Sequence, residues 1–479
     1  MRRAVVAAVL MVLLSVAVPR ASAVTIEVDT SADTFGGSAG TCSLREAITS
    51  AQTDSAFDGC TAGSGADTIS LPAGNYTITR LGASENLNST GDWDVAGTDT
   101  LAIRPAGANA KVTLSGGDAD RVLDQQGNSS LSLTDIHVTD GRVTTEDGGG
   151  ILNAVGSLSL ERVTVSSSES SFAGGGVAVY GSLDMINSTL ASNSALQDGG
   201  GLYVTGGAAA TVRSSTIAGN VADSDANNSG DGGGFRNTAS TVSLFNTVFA
   251  YNEDRTPGAG TVAPDCSSDP NFFPRYVMSQ QPLGPSPCLV GFNPGTNLPV
   301  SDPLLDTGLL ADNGGQTPTV ALREGSPAIA AAGTSPPDQC PPTDQTGRTR
   351  AADSCDIGAV QYVPEPASAN VVIRKVLPKK KAVKRGKRIR ARVVVRNRGA
   401  ARAAGVKVCL KLKGAAKKAV RIRGKACRRV GKLPAGRTAK PKFSLVAKRR
   451  AKKRAYRIVA RVSGKNFPAR TRSFRMKVR

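Results

Sequence analysis

Histidine occurs once in the 479 residues, at His137, and tryptophan once, at Trp93. One imidazole is a poor basis for a histidine-activated nucleophile or a histidine zinc site. None of the eight cysteines forms a Cys-x-x-Cys, which argues against thiol redox catalysis and zinc. Beyond the first twenty residues no apolar run approaches the roughly 20 residues of a membrane-spanning helix. The sharpest absence is acidic. From Pro366 to Arg479 there are 42 Lys and Arg and not one Asp or Glu. The whole chain has 59 basic and 38 acidic residues, so 17 basic and all 38 acidic ones precede Pro366. The front part therefore carries −21 and the tail +42. Asymmetry of this kind points the tail at a polyanion.

Glycine, by contrast, is plentiful and periodic. Gly148-Gly149-Gly150, Gly174-Gly175-Gly176, Gly199-Gly200-Gly201 and Gly232-Gly233-Gly234 are followed by Ile151, Val177, Leu202 and Phe235. Asp147, Asp198 and Asp231 precede three of these runs, and the spacings are 26, 25 and 33 residues. Between runs lie stretches that alternate apolar and polar, such as Ser157–Leu160 and Thr241–Leu244. A second apolar column reads Val138, Val165, Leu190, Ile217, Phe249, and three residues beyond it stand Gly141, Ser168, Asn193, Asn220, Asn252. Period-2 alternation predicts strands, and Gly, Asn and Ser predict turns between them. Units of about 25 residues are too short for a propeller blade of about 40, and they bury a face only by stacking. The expected fold is all-β, a parallel β-helix with its asparagines laddered along the axis.

Arg2-Arg3, the apolar run Ala4–Val18 and Ala21-Ser22-Ala23 have the order of a secretory leader cleaved after Ala23. The cysteines fall as four local couples, Cys42/Cys60, Cys266/Cys288, Cys340/Cys355 and Cys409/Cys427. Nearest-neighbour pairing is one of 105 connectivities, and the one that needs no long-range contact in a solenoid. Ser43 and Glu46 predict a capping box, with Leu44, Ala47, Ile48 and Ala51 on one helical face. Such a helix would cover the apolar mouth of the first coil.

Cys42-Ser43-Leu44-Arg45-Glu46-Ala47-Ile48, then Asp67-Thr68-Ile69 through Leu71-Pro72-Ala73-Gly74-Asn75-Tyr76, then the glycine repeats, resemble the bacterial CSLREA-domain surface proteins. Ala311-Asp312-Asn313-Gly314-Gly315, Gly325-Ser326-Pro327-Ala328-Ile329, Asp344-Gln345-Thr346-Gly347-Arg348 and Asp356-Ile357-Gly358-Ala359 resemble the choice-of-anchor Q module. Ala330, Thr346 and Gln361 depart from that pattern, where Asp, Arg and an acidic residue are usual. The resemblance spans about residues 25–362. It implies a right-handed parallel β-helix on or outside the cell, with no established chemistry. In the tail, Val394–Ala400 and Leu433-Pro434-Ala435-Gly436 resemble immunoglobulin-like, cell-adhesion-related bacterial domains. Six or seven alternating strands there predict a small basic β-sandwich without helix. The expected organisation is a leader at 1–23, a cap at 24–66, repeats at 67–300, a closing module at 301–362, a linker at 363–370 and the sandwich at 371–479.

Candidate chemistry is sparse. Asp118-x-Asp120-Arg121, near Asp92, Asp94 and Asp124, would place two carboxylates on one strand face, as a polysaccharide lyase or glycoside hydrolase needs. Ser115-Gly116-Gly117-Asp118 also reads as a plain turn, which is the preferred reading. Trp93 is expected to pack rather than stack on a sugar. His137, in a column with Thr164, Thr189, Thr216 and Val248, is expected to face solvent. Asp344, Arg348 and Asp356 are expected to form a buried ion pair that locks the closing loop. The Asp before three of the glycine runs is expected to bond turn amides rather than calcium. No metal and no cofactor is expected. Polyanion contacts are assigned to Lys379, Lys380, Lys381, Lys384, Arg385, Lys448, Arg449, Arg450, Lys452, Lys453 and Arg454. Tail aromatics occupy strand positions, and the leader argues against nucleic acid. The expected partners are anionic wall polymers, glycans or other surface proteins, and the expected role is a non-enzymatic, exported or envelope-bound display protein.

Overall fold

The computed structural model describes residues 23–37, 40–82, 85–257, 263–280, 296–306, 310–364, 369–378, 382–399 and 401–479. The leader, Cys288 and Lys379–Lys381 lie outside the described residues. The chain divides into two compact units, one ending at Tyr362 and one beginning at Val363.

One coil of the first unit shows how the repeat folds. Ile151–Asn153 leads to Ser157–Glu161, then to Thr164–Ser166 and Glu169–Ser170, before Gly174 begins the next coil. Each strand pairs in parallel with its equivalent one period on. Ile151 lies opposite Val177, Leu158 opposite Leu183, Val165 opposite Leu190 and Glu169 opposite Ser194. Stacked coils build four parallel sheets, with nine, nine, seven and five strands among the described residues. Alternate residues point inward, and the column Val138, Val165, Leu190, Ile217, Phe249 is fully buried. This is the parallel β-helix that the periodicity predicts.

The glycine runs are explained by close approach of backbone to backbone. Gly174 sits at φ +67°, which a residue with a Cβ adopts at a cost. A Cβ on Gly175 would stand 2.1 Å from the carbonyl oxygen of Ser194, and one on Gly176 2.5 Å from that of Gly201. The amides of Gly174, Gly175 and Gly176 donate to the carbonyls of Asp198, Gly199 and Gly200 in the next coil. Beside this stack runs the asparagine ladder. Asn193 N and Nδ2 both donate to Asn220 Oδ1 at 3.0 Å, and Asn220 repeats the pattern to Asn252 Oδ1. Asp147 and Asp198 bond amides one coil on, at Ala173 and Asp231, rather than those of their own turn.

Leu44–Thr53 is the capping helix, with both halves of the Ser43–Glu46 box formed. Leu44, Ala47, Ile48 and Ala51 are buried against the first strands, and Cys42 is bonded to Cys60. That bond closes a loop of this length at a gain of about 3 kcal/mol.

The closing segment covers much of the sheet that the sequence reading left to solvent. Residues 311–362 lie along the outer side of the sheet that carries the histidine column. Thr164 Oγ1 donates to the Pro318 carbonyl, Thr189 Oγ1 to Gln345 Oε1, and the Ala359 amide donates to Thr216 Oγ1. Val320, Leu322 and Ile357 pack on the outward-facing Ala191, Ala218, Val248 and Ala250. From Thr164 to Val248 the column points away from the core and is nonetheless covered. His137 itself is half-buried, with Nε2 2.8 Å from Ser166 Oγ. The expected Asp344–Arg348–Asp356 ion pair is also absent among the described residues. Asp344 is held by the amides of Thr346, Arg348 and Gln361, and Arg348 reaches the Asn313 carbonyl. The buried cation is Arg350, which donates to the carbonyls of Asp356, Gly358 and Ala359 and to Asn187 Oδ1. Cys340 and Cys355 are bonded beside it.

The second unit is a sandwich of two five-stranded sheets. One holds Val371–Leu377, Arg388–Asn397, Lys442–Ala447 and Val420–Arg423, with Thr438–Ala439 beside the second. The other holds Ala382–Val383, Arg470–Val478, Ala455–Ser463, Ala403–Leu412 and Cys427–Leu433. Inward residues such as Val393, Val408, Leu445, Ile458 and Met476 form its own core. Cys409 and Cys427 are direct cross-strand partners and are bonded. One short helix, Ala415–Ala419, interrupts the strands where none was expected.

Two outcomes follow. Gly175→Ala should lower stability by about 1–3 kcal/mol through overpacking, and Asn220→Ala by a similar amount through unpaired ladder groups. Gly107→Ala, where a Cβ meets nothing within 4 Å, should leave the denaturation midpoint unchanged. Burial pushes the His137 imidazole down to about 4, with Asp140 opposing. The neutral ring therefore contributes stability that is complete above about pH 6.5 and is lost as pH falls towards 4. The single imidazole signal in a proton NMR titration should have its midpoint near 4 rather than 6.5.

Candidate functional site

Trp93–Val95 and Leu123–Gln125 are neighbouring parallel strands, with Asp94 opposite Asp124. Alternation sends Trp93 and Leu123 into the core and the two carboxylates outward. The segment before Trp93 folds back over them. Asn88 donates its amide to Asp94 Oδ2 at 2.9 Å, and its side chain bonds the Arg45 carbonyl of the capping helix. Asp94 is thereby fully buried, and Asp124 is 5% exposed. Arg121 reaches in from the adjoining turn. Its Nη1 donates to Asp92 Oδ2 and Asp124 Oδ2, both at 2.9 Å, and its Nη2 pairs with Glu146. The result is a cleft of about 320 Å³ lined by Asp92, Asp118, Asp120, Arg121, Arg142 and Glu146.

The sequence-derived pair is not what the fold assembles. Asp118 is exposed at φ +56° in a tight turn, and Asp120 bonds the Arg121 amide, so the two do not share a strand face. The turn reading holds. The carboxylates that converge are Asp92, Asp94 and Asp124, whose oxygens lie within 4.8 Å of one another. Glu146 escaped the sequence reading, although it stands one repeat period after Arg121 and so returns to the same place one coil on. Trp93 is buried, with the Arg45 guanidinium 6.0 Å from its ring, and presents no surface to a sugar.

Burial pushes the Asp92 carboxyl up to about 7, Arg121 opposing it and Asp120 and Asp124 adding to it. Burial pushes Asp94 up to about 8, reinforced by the charge of Asp92. Raised carboxyls suit general acid–base work only where a substrate reaches them. Asp94 is sealed by Asn88 and Gln126, and Asp92 is committed to Arg121. The cluster is built to hold charge in place, and Asp92, Asp94 and Asp124 are the residues that could hold a metal ion.

The second candidate site is basic and belongs to the sandwich. Lys384 and Arg385 occupy the turn before Arg388–Asn397, and Lys448–Arg454 the loop before Ala455–Ser463. All eight assigned cations in these two segments are exposed. The segments are neighbours: Gly386 N donates to the Ala447 carbonyl, and Ala447 N to that of Lys387. Lys448 N bonds the Ala419 carbonyl, which adds Lys417 and Lys418 of the short helix to the same end. Sequence reasoning missed those two because only the fold brings the helix to the loop. The outer sheet faces continue the charge, with Arg457 opposite Arg475, Lys407 opposite Arg429 and Arg392 opposite Lys442. Like charges directly opposed in a sheet are destabilising. Among the described residues no ion pair occurs in this unit.

Arg121→Met should cost about 3–5 kcal/mol at neutral pH, because Asp92 and Asp124 lose the cation that shares their burial. The deficit in denaturant unfolding should shrink towards pH 5, where the raised carboxyls take up protons instead.

No family model matches the chain, and no curated protein matches it. Solved structures match over about a quarter of its length. They include an α2-macroglobulin of Escherichia coli spanning domain MG7 to the C-terminus, 16% identical over 24% of this chain and 17% of that one, TM-score 0.20. The chain thus spans less than a fifth of that structure. The CARDB domain of a Pyrococcus furiosus protein, solved with di-metal ions, is 18% identical over 24% of this chain and 96% of that one, TM-score 0.18. The sporulation control protein Spo0M of Bacillus subtilis is 14% identical over 24% of this chain and 50% of that one, TM-score 0.17. At such TM-scores these likenesses decide nothing, and the fold stands on its own strand pairing.

Proposed function

We propose that the protein is an exported, non-enzymatic β-helix protein whose cationic sandwich holds it to an anionic envelope polymer while the solenoid is displayed. The observation that carries this is the basic end of the sandwich, where Lys384, Arg385, Lys417, Lys418 and the Lys448–Arg454 loop meet without one acidic neighbour. Opposed cations at this density repel each other, and a polyanion relieves that repulsion. Three disulfides among the described residues fit an oxidising compartment outside the cytoplasm. The leader-like first 23 residues and the resemblance to CSLREA and choice-of-anchor Q proteins support the same placement. No helix among the described residues is long and apolar enough to cross a membrane. The glycan-cleaving alternative loses ground, because Asp94 is covered by Asn88 and Gln126 and Asp92 is held in an ion pair with Arg121.

Sedimentation of the full chain with purified cell walls across a salt series tests the proposal. The protein should bind at low salt and be released towards 1 M, where screening shortens to about 3 Å. Replacing Arg449, Arg450, Lys452 and Lys453 together by Gln should move release to lower salt. Binding that persists unchanged through the strong-salt wash overturns attachment by charge.

A further inference from the structure

We propose that Asp92, Asp94 and Asp124 bind one calcium ion, which ties the N-terminal cap to the first coils of the solenoid. Three observations converge on this. The first is geometric. Calcium takes oxygen ligands at about 2.3–2.6 Å, so oxygens on opposite sides of one ion lie at most about 5 Å apart. The three carboxylates place theirs within 4.8 Å. Only oxygen ligands converge there, which suits a hard cation and not zinc or copper.

The second observation is an orphaned oxygen. Asp124 is 5% exposed; its Oδ2 accepts from Arg121 and Gln126, and its Oδ1 is buried without a partner. A buried carboxylate oxygen left bare is costly, and a cation at the convergence of the three side chains supplies what no donor does. The third is charge. Asp92, Asp94, Asp120, Asp124 and Glu146 surround the cleft or its floor, and Arg121 is the only cation paired with any of them among the described residues. Five carboxyl groups there share one guanidinium, and a divalent ion supplies the countercharge that lets them ionise together.

The consequence is mechanical. The capping helix grips the backbone of this same segment: Arg45 donates to the carbonyls of Gly91 and Asp92, and Gln52 to that of Asp94. Asp124 belongs to the following coil. An ion shared by Asp92, Asp94 and Asp124 therefore fastens the cap-gripped strand to its neighbour, and its removal unfastens that seam.

The chain carries its own reporter, because its only tryptophan, Trp93, stands between two of the ligands. The test uses the full chain stripped with EGTA and titrated with terbium, a calcium mimic, with excitation at the red edge of indole absorption. Expected is tryptophan-sensitised terbium emission that saturates at one site and is displaced by calcium. Millimolar calcium should also raise the unfolding midpoint by several degrees. Asp94→Asn and Asp124→Asn should each lose the emission and the calcium-dependent shift, whereas Asp118→Asn, on the exposed rim, should keep both. In EGTA the Asp94→Asn protein should melt no lower than the stripped parent, since the substitution removes repulsion; this separates lost binding from lost folding. A natively folded chain with no sensitised emission and no calcium-dependent midpoint overturns the proposal, and so does emission that persists in both variants.

Discussion

Backbone lies on backbone at the glycine runs with so little clearance that a methyl group at Gly175 would come within 2.1 Å of the carbonyl oxygen of Ser194. That contact sets everything around it. Because the runs stack amide to carbonyl from coil to coil, each following strand must start in register with its equivalent one period on. Register then delivers the inward apolar columns, and the turns after Thr189–Ala191, Thr216–Ala218 and Val248–Ala250 deliver Asn193, Asn220 and Asn252 to one line. The ladder satisfies polar groups that the turns would otherwise bury unpaired. Glycine here is a spacing device more than a source of flexibility.

Charge is handled in opposite ways by the two units. In the solenoid, carboxylates are drawn inside and given partners: Asp33 pairs with Arg45, Asp92 and Asp124 share Arg121, and Asp344 accepts from three amides. In the sandwich nothing is matched, and cations stand opposite cations across neighbouring strands. Its stability rests on the apolar core and on the Cys409–Cys427 bond, while its surface is left to be neutralised from outside. A domain that was only a scaffold would gain from a few acidic residues among these strands. Their absence is the feature on which the proposed polyanion contact rests.

The closing segment changes the meaning of one solenoid face. Residues from Thr317 to Ala359 reach the coils at Arg162–Thr164, Asn187–Thr189, Thr216 and Asn246, so a sheet that is polar by sequence becomes an interior. Arg350 draws together carbonyls of the segment and Asn187 of the solenoid, and burial pushes its guanidinium down to about 10. The solenoid surface left open to solvent is accordingly smaller than the repeat count suggests.

Much of the architecture was legible because it is local or periodic. The Ser43–Glu46 box, the β-helix with its inward columns and asparagine ladder, the alternating strands of the tail and the exposed basic loops all follow from spacing along the chain. What depended on tertiary structure involves residues far apart that meet on a surface with no period of its own. Thr164, Thr189 and Thr216 read as outward, and outward they are, but only docking of a distant segment made that side an interior. The Asp118–Asp120 pair followed an assumed strand, while φ at Asp118 turned the chain there. Asp92, Asp94 and Asp124 lie in consecutive coils, and their convergence with Arg121 and Glu146 needed both the coil register and the fold-back of Asn88. Sequence by itself determined which residues recur and therefore stack. The tertiary fold decided which of the recurring faces is covered and which carboxylates share a site, because burial and charge coupling depend on distances that no spacing along the chain contains.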